Sequence, residues 1–493
     1  MNKHFLKYLI KSNKTLNIFL IILNLIFSSW FFFGASYNDY VSSNNGVVTA
    51  LCISYFLIVL ECIILPIIEL SFINNRKRID IYYTLPIKHE KLVITTILEI
   101  IFKIVLMHII TIIPVLIANA FNVNILMFII YIFLTLIVVG ALVLFTSALC
   151  LKTNSSLDAI LVTLGYIFIP IMFYLVVNQF EFNHIFGKSL DLYHIIEKMM
   201  LPFLIIDISY NNVAYMFNIF NFEIIDWIII ILMGIFGYIL IRYELRYRKA
   251  ERAEELSNNI LTYPLVISTI TLLLILLVLF SNIKVMPKIL FIMLIYAAYA
   301  IMNFIYQRRI IFTKKSAILF GITIVCALSI SYIANITEGF GINYSFKDKH
   351  GLNNISMSYT FYSYGNKEYS FSINYIGSKD LDKLEDYIKD RQANFVELMK
   401  EDHSYDYSNG FSGIFKSLVV NYDDGDEYYY NGGQSIILNK ENLNEVFDEI
   451  QNYLDLGVKL SFHSEQFSEG ENILKVYDNF DDFKKIVFEQ LIN

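Results

Sequence analysis

Long apolar segments alternate with short polar segments through the first two thirds of the chain. Nine of the apolar segments have roughly the 20 residues that a helix needs to cross the hydrocarbon of a bilayer. A backbone in hydrocarbon must satisfy its own hydrogen bonds, so we expect each segment to be a helix. The predicted spans cover residues 15–35, 47–70, 93–118, 124–150, 157–178, 225–245, 262–282, 288–306 and 316–335.

The pattern changes after residue 335. The segments "NISMSYTFYSY" and "EYSFSINYI" alternate apolar and polar positions, with "YGNKE" at the turn, which predicts a β-hairpin. Three later segments have apolar residues at helical spacing, and each follows a polar capping residue, Ser378, Asn439 or Asn479. Residues 336–493 are therefore predicted to form one α+β domain.

The apolar part of the chain and the part after it also differ in net charge. Of the 493 residues 56% are hydrophobic, well above the share in a soluble protein. Residues 1–334 have a net charge of +7 and residues 335–493 a net charge of −14. The four cysteines, Cys52, Cys62, Cys150 and Cys326, all lie in apolar segments, which favours packing over a metal or redox role.

Lysine and arginine indicate the orientation, because the cytoplasmic segments of a membrane protein are enriched in both. With the N-terminus in the cytoplasm, the inside segments hold 19 of these residues and the outside loops hold 4. An odd number of spans then places the acidic domain outside the cell. The first span has no good cleavage site after it, so we interpret it as an uncleaved anchor.

Two further segments are expected at the membrane surface. Residues 1–14 place Phe5, Leu6, Leu9 and Ile10 on one helical face, which predicts an N-terminal interfacial helix. The loop 179–224 has apolar residues at helical spacing before Pro202. It is either a short helix dipping into the outer leaflet or an ordinary interfacial loop.

The loop between the second and third spans, "NNRKRIDIYYTLPIKHEKL" at residues 74–92, is basic. Its stretch from Asp80 to Leu85 is predicted to form one or two turns of helix. Ile79, Tyr82 and Leu85 form a short apolar ridge that ends at Pro86. The ridge has the size to fit a groove on a partner protein. The alternative is a basic loop that only sets topology, with incidental aromatic residues.

This loop resembles the coupling helix of bacterial ABC exporter permeases, the type-2 ABC transporter membrane subunits. The resemblance rests on a pattern of basic residues, an acid and a Leu-Pro pair: Arg76, Lys77, Arg78, Asp80, Leu85, Pro86, Ile87 and Leu92. Tyr83 and Thr84 replace the usual histidine and serine, and Tyr82 and Tyr83 complete the predicted contact surface.

The resemblance implies a polytopic α-helical membrane protein with a division of labour between chains. It assigns residues 15–249 to a six-span permease core, residues 250–335 to three additional spans and residues 336–493 to an extracytoplasmic domain. ATP and Mg²⁺ would bind a separate ATP-binding subunit, so no cofactor is expected in this chain. A second permease, identical or different, and the lipid bilayer of a bacterial cell membrane would be its other partners.

Two motifs suggest catalytic or ligand sites but are better explained otherwise. "GKS" at 187–189 has Phe182 where a phosphate-binding loop needs glycine, so nucleotide binding is not expected. "NYDDGDEYYYNGG" at 421–433 lacks the calcium-loop spacing and is interpreted as a hairpin turn. In the charged segment 242–259 the signs alternate and few aromatic residues are present, so no nucleic-acid partner is expected. The chain is predicted to be a non-catalytic subunit.

We single out four ionisable residues within predicted spans, where a charge costs a few kcal/mol. These are Glu61, Glu99, Lys103 and His108, and Glu99 and Lys103 are spaced to pair on one helix face. They either line a transport path or lock helices together. Asp158 and Asp226 lie at span ends, where we expect them to be solvated.

The resulting expectation is a permease subunit that exports or removes a peptide-, lipid- or antibiotic-like substrate, as in antimicrobial peptide resistance. The alternative is a membrane-anchored extracytoplasmic sensor of envelope stress or antimicrobial peptides that does not transport.

Overall fold

A computed structural model of the chain divides into two compact units, which are described separately. The first comprises residues 1–175, 192–275 and 289–325, and the second comprises residues 176–191, 276–288 and 326–493. The structure describes residues 3–37, 43–118, 125–187, 196, 198–200, 204, 224–248, 250–257, 259–308, 314–348, 351–363, 367–376, 381–401, 413–422, 425–434, 440–455, 464–468, 471–475, 481 and 484–485.

Helices occupy the predicted apolar segments. Their bounds are α1 Lys3–Ser12, α2 Lys14–Tyr37, α3 Ser43–Glu69, α4 Arg76–Tyr83, α5 His89–Ala118, α6 Ile125–Lys152, α7 Ser156–His184, α8 Ile224–Tyr247, α9 Tyr263–Phe280, α10 Val285–Gln307 and α11 Lys314–Ile336. Among the described residues, eight helices are long and apolar enough to cross a membrane. The chain is thus consistent with a multi-pass helical membrane protein.

The N-terminal pair α1 and α2 meets at a bend of 63°, and counting it as one span brings the total to the predicted nine. Phe5 and Leu9 of α1 are buried in the apolar core of the first unit. Ile10, predicted on the same face, is exposed because α1 turns only its Phe5–Leu9 side toward the neighbouring helices.

The packing of α6 against α8 depends on a glycine. A Cβ atom on Gly237 of α8 would lie 2.8 Å from the backbone of Leu144 and Phe145 in α6. Small residues allow helix backbones to approach closely, and this is a main source of helix association in lipid. Gly140 of α6, in contrast, has no atom within 4 Å of the position a Cβ would take.

The second unit contains the last turns of α7, α9 and α11 and an antiparallel sheet of six strands. The strands are β1 Leu352–Ser363, β2 Lys367–Ile376, β3 Gly413–Tyr422, β4 Glu427–Gln434, β5 Ser464–Ser468 and β6 Glu471–Lys475, in the order β4-β3-β1-β2-β5-β6. The predicted hairpin is confirmed by the pairing of Ile355 with Tyr375 and Met357 with Ile373.

Two of the three predicted helices of this region are confirmed, as α12 Leu381–Glu401 and α13 Lys440–Asp455. The capping residues Ser378, Asn439 and Asn479 lie outside the described residues. The same holds for most of the third predicted helix and most of the loop 179–224. Segment 421–433 is the predicted hairpin, since β3 pairs with β4 and Gly425 adopts φ +86° at the turn. Gly187 of the "GKS" triplet pairs its backbone with Tyr429.

The close contact of α6 and α8 gives a first prediction. Gly237→Ala should push the two helices apart and lower the thermal unfolding midpoint of the purified chain in detergent. Gly140→Ala is the matched control, because its methyl group enters open space and should leave the midpoint unchanged or raise it. Equal midpoints for Gly237→Ala and the unmodified chain would contradict the packing described here.

Candidate coupling site and the buried charges of the helix bundle

The loop at residues 74–92 folds as a short helix between two spans. A 3-10 helix, Leu70–Asn74, ends the preceding span, and the Asn75 side chain caps α4 by accepting a hydrogen bond from Arg78 N at 3.2 Å. The helix ends at Tyr83, and Pro86 prevents its continuation. It begins at Arg76, four residues before the predicted start, because the asparagine cap lies in front of the basic residues.

The apolar ridge of α4 faces the chain's own bundle. Ile79 is 1% exposed, and the Tyr82 ring lies 4.3 Å from the ring of Phe72. Leu85 also packs against the apolar core. Burial raises the pKa of Tyr82, which keeps its hydroxyl neutral. Of the ridge predicted to contact a partner, Ile79 is thus buried in the chain's own bundle, and Tyr82 and Leu85 are partly buried there.

The opposite face of α4 is open. The exposed residues of α4 and of the turn that follows it are Arg76, Lys77, Arg78, Asp80, Ile81, Thr84 and Pro86. Ile81 is 67% exposed and is flanked by charged residues. The Tyr83 side chain lies outside the described residues. An exposed apolar residue within a charged face is typical of a protein-contact surface.

The segment after α8, residues 248–262, holds the other side of α4, and we call it the linker. Arg76 Nε donates to the Ala253 carbonyl at 2.9 Å, and Arg76 N donates to Glu254 Oε1 at 3.3 Å. At the start of the linker, Arg248 donates to Asn74 Oδ1 at 2.7 Å and to the Leu151 carbonyl. Arg76, predicted to contact an ATP-binding subunit, is therefore bound within the chain.

The linker is anchored a second time by Asp158 at the start of α7. The Asp158 carboxylate accepts hydrogen bonds from Ser257 Oγ at 3.0 Å and from the Tyr263 hydroxyl at 2.9 Å. Arg308 lies 3.4 Å from the same carboxylate and donates to the Glu254 carbonyl. Asp158 is 5% exposed, so the prediction that it is solvated was wrong. Asp226 is likewise buried, 3.0 Å from Lys198.

Glu99 and Lys103 form the predicted pair, with 2.8 Å between Oε1 and Nζ. The structure adds Glu69 of α3, whose Oε1 also bonds Lys103 Nζ. All three residues are buried, so two carboxylates share one ammonium group. Glu69 was not singled out from the sequence because it lies 34 positions away on another helix.

Glu61 and His108 are also paired across helices. Glu61 Oε1 accepts a hydrogen bond from Asn24 Nδ2 at 2.7 Å, and Asn24 Oδ1 accepts one from Thr111 at 2.8 Å. His108 Nε2 lies 2.7 Å from the Tyr131 hydroxyl. Each bond joins different helices, which favours the helix-locking interpretation over a transport path.

No group of His, Cys, Asp and Glu side chains that could hold a metal ion occurs within the described ranges. The comparisons with known proteins found no matching family model, no matching curated protein and no matching solved structure.

Lys103→Met should leave the two carboxylates facing each other without a cation. Breaking a buried ion pair in this way costs about 3–5 kcal/mol, so we expect a clear fall in the thermal unfolding midpoint. Adding Glu69→Gln and Glu99→Gln to the same variant should recover most of the loss, because no charge is then left unpaired. A Lys103→Met midpoint equal to that of the unmodified chain would contradict the arrangement.

Asp158→Ala should release the linker, because three donors lose their shared acceptor. Trypsin should then cleave the full chain faster after the exposed Arg252, as measured by limited proteolysis with mass spectrometry. The control Glu251→Ala removes an exposed carboxylate from the same linker and should leave the cleavage rate unchanged. A rate unaffected by Asp158→Ala would show that the linker is held elsewhere.

Proposed function

We propose that this chain is the membrane subunit of an ATP-driven ABC exporter and that α4 transmits force from a separate ATP-binding subunit. The proposal rests on the structure and the surroundings of α4. It is a capped helix between two spans with one face fixed to the bundle and the other face open. A helix that transmits a displacement from a partner to membrane spans needs one face that contacts the partner and another that contacts the spans.

The docking surface in this proposal is the exposed face around Ile81, with Lys77, Asp80 and Thr84 beside it. An exposed isoleucine surrounded by charges supports a partner groove that is apolar at its centre and charged at its rim. In the proposed mechanism the ridge of Ile79, Tyr82 and Leu85 contacts the bundle and not the partner. It transmits the displacement of α4 into the bundle.

The linker supports the proposal because its hydrogen bonds would pass a displacement of α4 on to further helices. The Ala253 carbonyl accepts from Arg76, and the hydroxyls of Ser257 and Tyr263 donate to Asp158; Ala253 and Tyr263 are about ten residues apart along the chain. A movement of α4 would therefore reach the beginnings of α7 and α9 through a short, hydrogen-bonded segment. We infer that the three additional spans move with the six-span core.

The remaining assignments are part of the same proposal. ATP and Mg²⁺ bind the partner, a second permease completes the transporter, and the acidic region after residue 336 lies outside the bacterial cell membrane. The excess of lysine and arginine in the predicted cytoplasmic segments supports this orientation. The substrate in this proposal is a peptide-, lipid- or antibiotic-like molecule.

Ile81→Asp tests the docking face. The full chain is isolated with a tag from native membranes in mild detergent, and the co-isolated proteins are quantified. The unmodified chain should retain an ATP-binding subunit in stoichiometric amount, and Ile81→Asp should lose most of it, because the new charge is buried unpaired in the contact.

The matched control is Ile260→Asp, since Ile260 is 74% exposed in the linker, close to the 67% of Ile81. It should retain the partner. If the unmodified chain is isolated reproducibly without an ATP-binding protein, the sensor alternative takes the place of the transport proposal. Equal loss in both variants would place the docking surface elsewhere.

A further inference from the structure

A cavity of about 410 Å³ lies within the second unit. It is surrounded by the last turns of α7, α9 and α11, the first turn of α10 and the loops that follow α7, α9 and α11. Small-ligand sites have volumes of this order. The cavity lies far along the chain from α4, and neither the sequence patterns nor the proposed coupling role assigns it a ligand.

The walls of the cavity are fixed by hydrogen bonds and close contacts. Asn343, 2% exposed, donates to the His184 carbonyl at 2.8 Å and accepts from Phe186 N at 2.8 Å. A Cβ atom on Gly339 would lie 2.8 Å from the His184 carbonyl oxygen, so only glycine fits there. Phe180 and Phe280 pack with ring centroids 5.0 Å apart. The shape of the cavity is therefore fixed by contacts within the fold.

One wall has an unusual backbone. Four consecutive residues adopt left-handed conformations, with φ of 49° at Glu338, 73° at Gly339, 60° at Phe340 and 82° at Gly341. A side chain other than glycine at positive φ costs free energy and is held only where the surroundings require it. Glu338 and Phe340 both bear this cost, and Glu338 lines the cavity. Such strain is concentrated at ligand-binding segments.

The cavity presents both signs of charge. Within the described residues the Lys288 ammonium donates to the Leu279 carbonyl at 3.0 Å. An ammonium group has three donors, so it can bind an anion at the same time. Glu338 lines the same cavity, together with Asn183, Asn282 and Asn335. This set of groups suits a ligand that carries a phosphate or carboxylate near an ammonium.

Exposed apolar side chains lie next to the cavity along the chain. Phe182 and Met286 are each 79% exposed, and Phe340 is exposed beside Gly339. Asn183 follows Phe182, and Lys288 lies two residues after Met286. Large apolar groups in water are unfavourable, but they are favourable contacts for acyl chains. Together with the ends of three predicted spans, they point to a ligand that is polar at one end and apolar at the other.

We propose that this cavity binds the headgroup of a zwitterionic phospholipid, with the phosphate at Lys288 and the ammonium at Glu338. The asparagine amides donate to the remaining phosphate oxygens. The acyl chains lie along Phe182, Met286 and Phe340. This site is independent of the docking face on α4 and of any transport activity.

The test is a lipid titration of the full chain, purified in detergent and followed by native mass spectrometry. The probes are dioleoylphosphatidylethanolamine, dioleoylphosphatidylglycerol and soluble phosphoethanolamine. The unmodified chain should bind the ethanolamine lipid in preference to the glycerol lipid. Lys288→Gln should weaken binding of both lipids by roughly tenfold, because a charge-assisted hydrogen bond is lost. Lys288→Arg should retain binding.

Glu338→Gln should remove the preference for the ethanolamine lipid and leave binding of the glycerol lipid intact. The matched control is Lys284→Gln, since Lys284 is an exposed lysine directly before α10, one turn from Lys288, and does not line the cavity. The thermal unfolding midpoint of each variant verifies folding.

Three results would overturn the proposal. The first is unchanged lipid binding by Lys288→Gln. The second is an equal loss of binding in Lys284→Gln. The third is a soluble phosphoethanolamine that binds as tightly as the lipid, which would make the cavity a site for a free zwitterion.

Discussion

A buried charge in an apolar helix bundle must be satisfied by a partner inside the bundle, and the first unit is organised by this constraint. Lys103 is held by carboxylates of α3 and α5, Lys152 lies 2.6 Å from Glu244, and Lys198 lies 3.0 Å from Asp226. Lipid tails are as apolar as leucine, so apolar side chains alone give helices little reason to hold one relative position. Each ion pair therefore fixes the position of the two segments that it joins. Desolvation offsets much of the Coulombic gain, so these pairs specify geometry more than they add stability.

The buried Asp158 obeys the same constraint, because the hydroxyls of Ser257 and Tyr263 donate to its carboxylate. The exposed Arg76 donates to the Ala253 carbonyl of the same short segment, residues 253–263. The hydrogen bonds to these two side chains connect α4 with the beginnings of α7 and α9. In the proposed function this connection is the mechanical path from the docking face to the spans. The face around Ile81 remains open because the bundle and the linker cover the other sides of α4.

The sequence predicted the helices well because each apolar segment is long and bounded by polar residues, and it found the Glu99–Lys103 pair because both residues lie on one helix. It missed Glu69 and Asn24, the partners of Lys103 and Glu61, because their contacts join distant segments and leave no local pattern. The ridge of α4 was assigned to a partner because periodicity identifies an apolar face without showing what covers it. The sequence predicts a solvated Asp158, because a position at a span end does not show that the linker folds over it.

Site-specific photo-cross-linking from position 81 tests whether α4 contacts an ATP-binding subunit. A photoreactive amino acid replaces Ile81 in the full chain in living cells, and position 260 in the linker serves as the comparison. We expect illumination to join position 81, and not position 260, to one protein that contains a nucleotide-binding fold. A product with any other class of protein, or equal products from both positions, would contradict the claim that the exposed face of α4 docks an ATP-binding subunit.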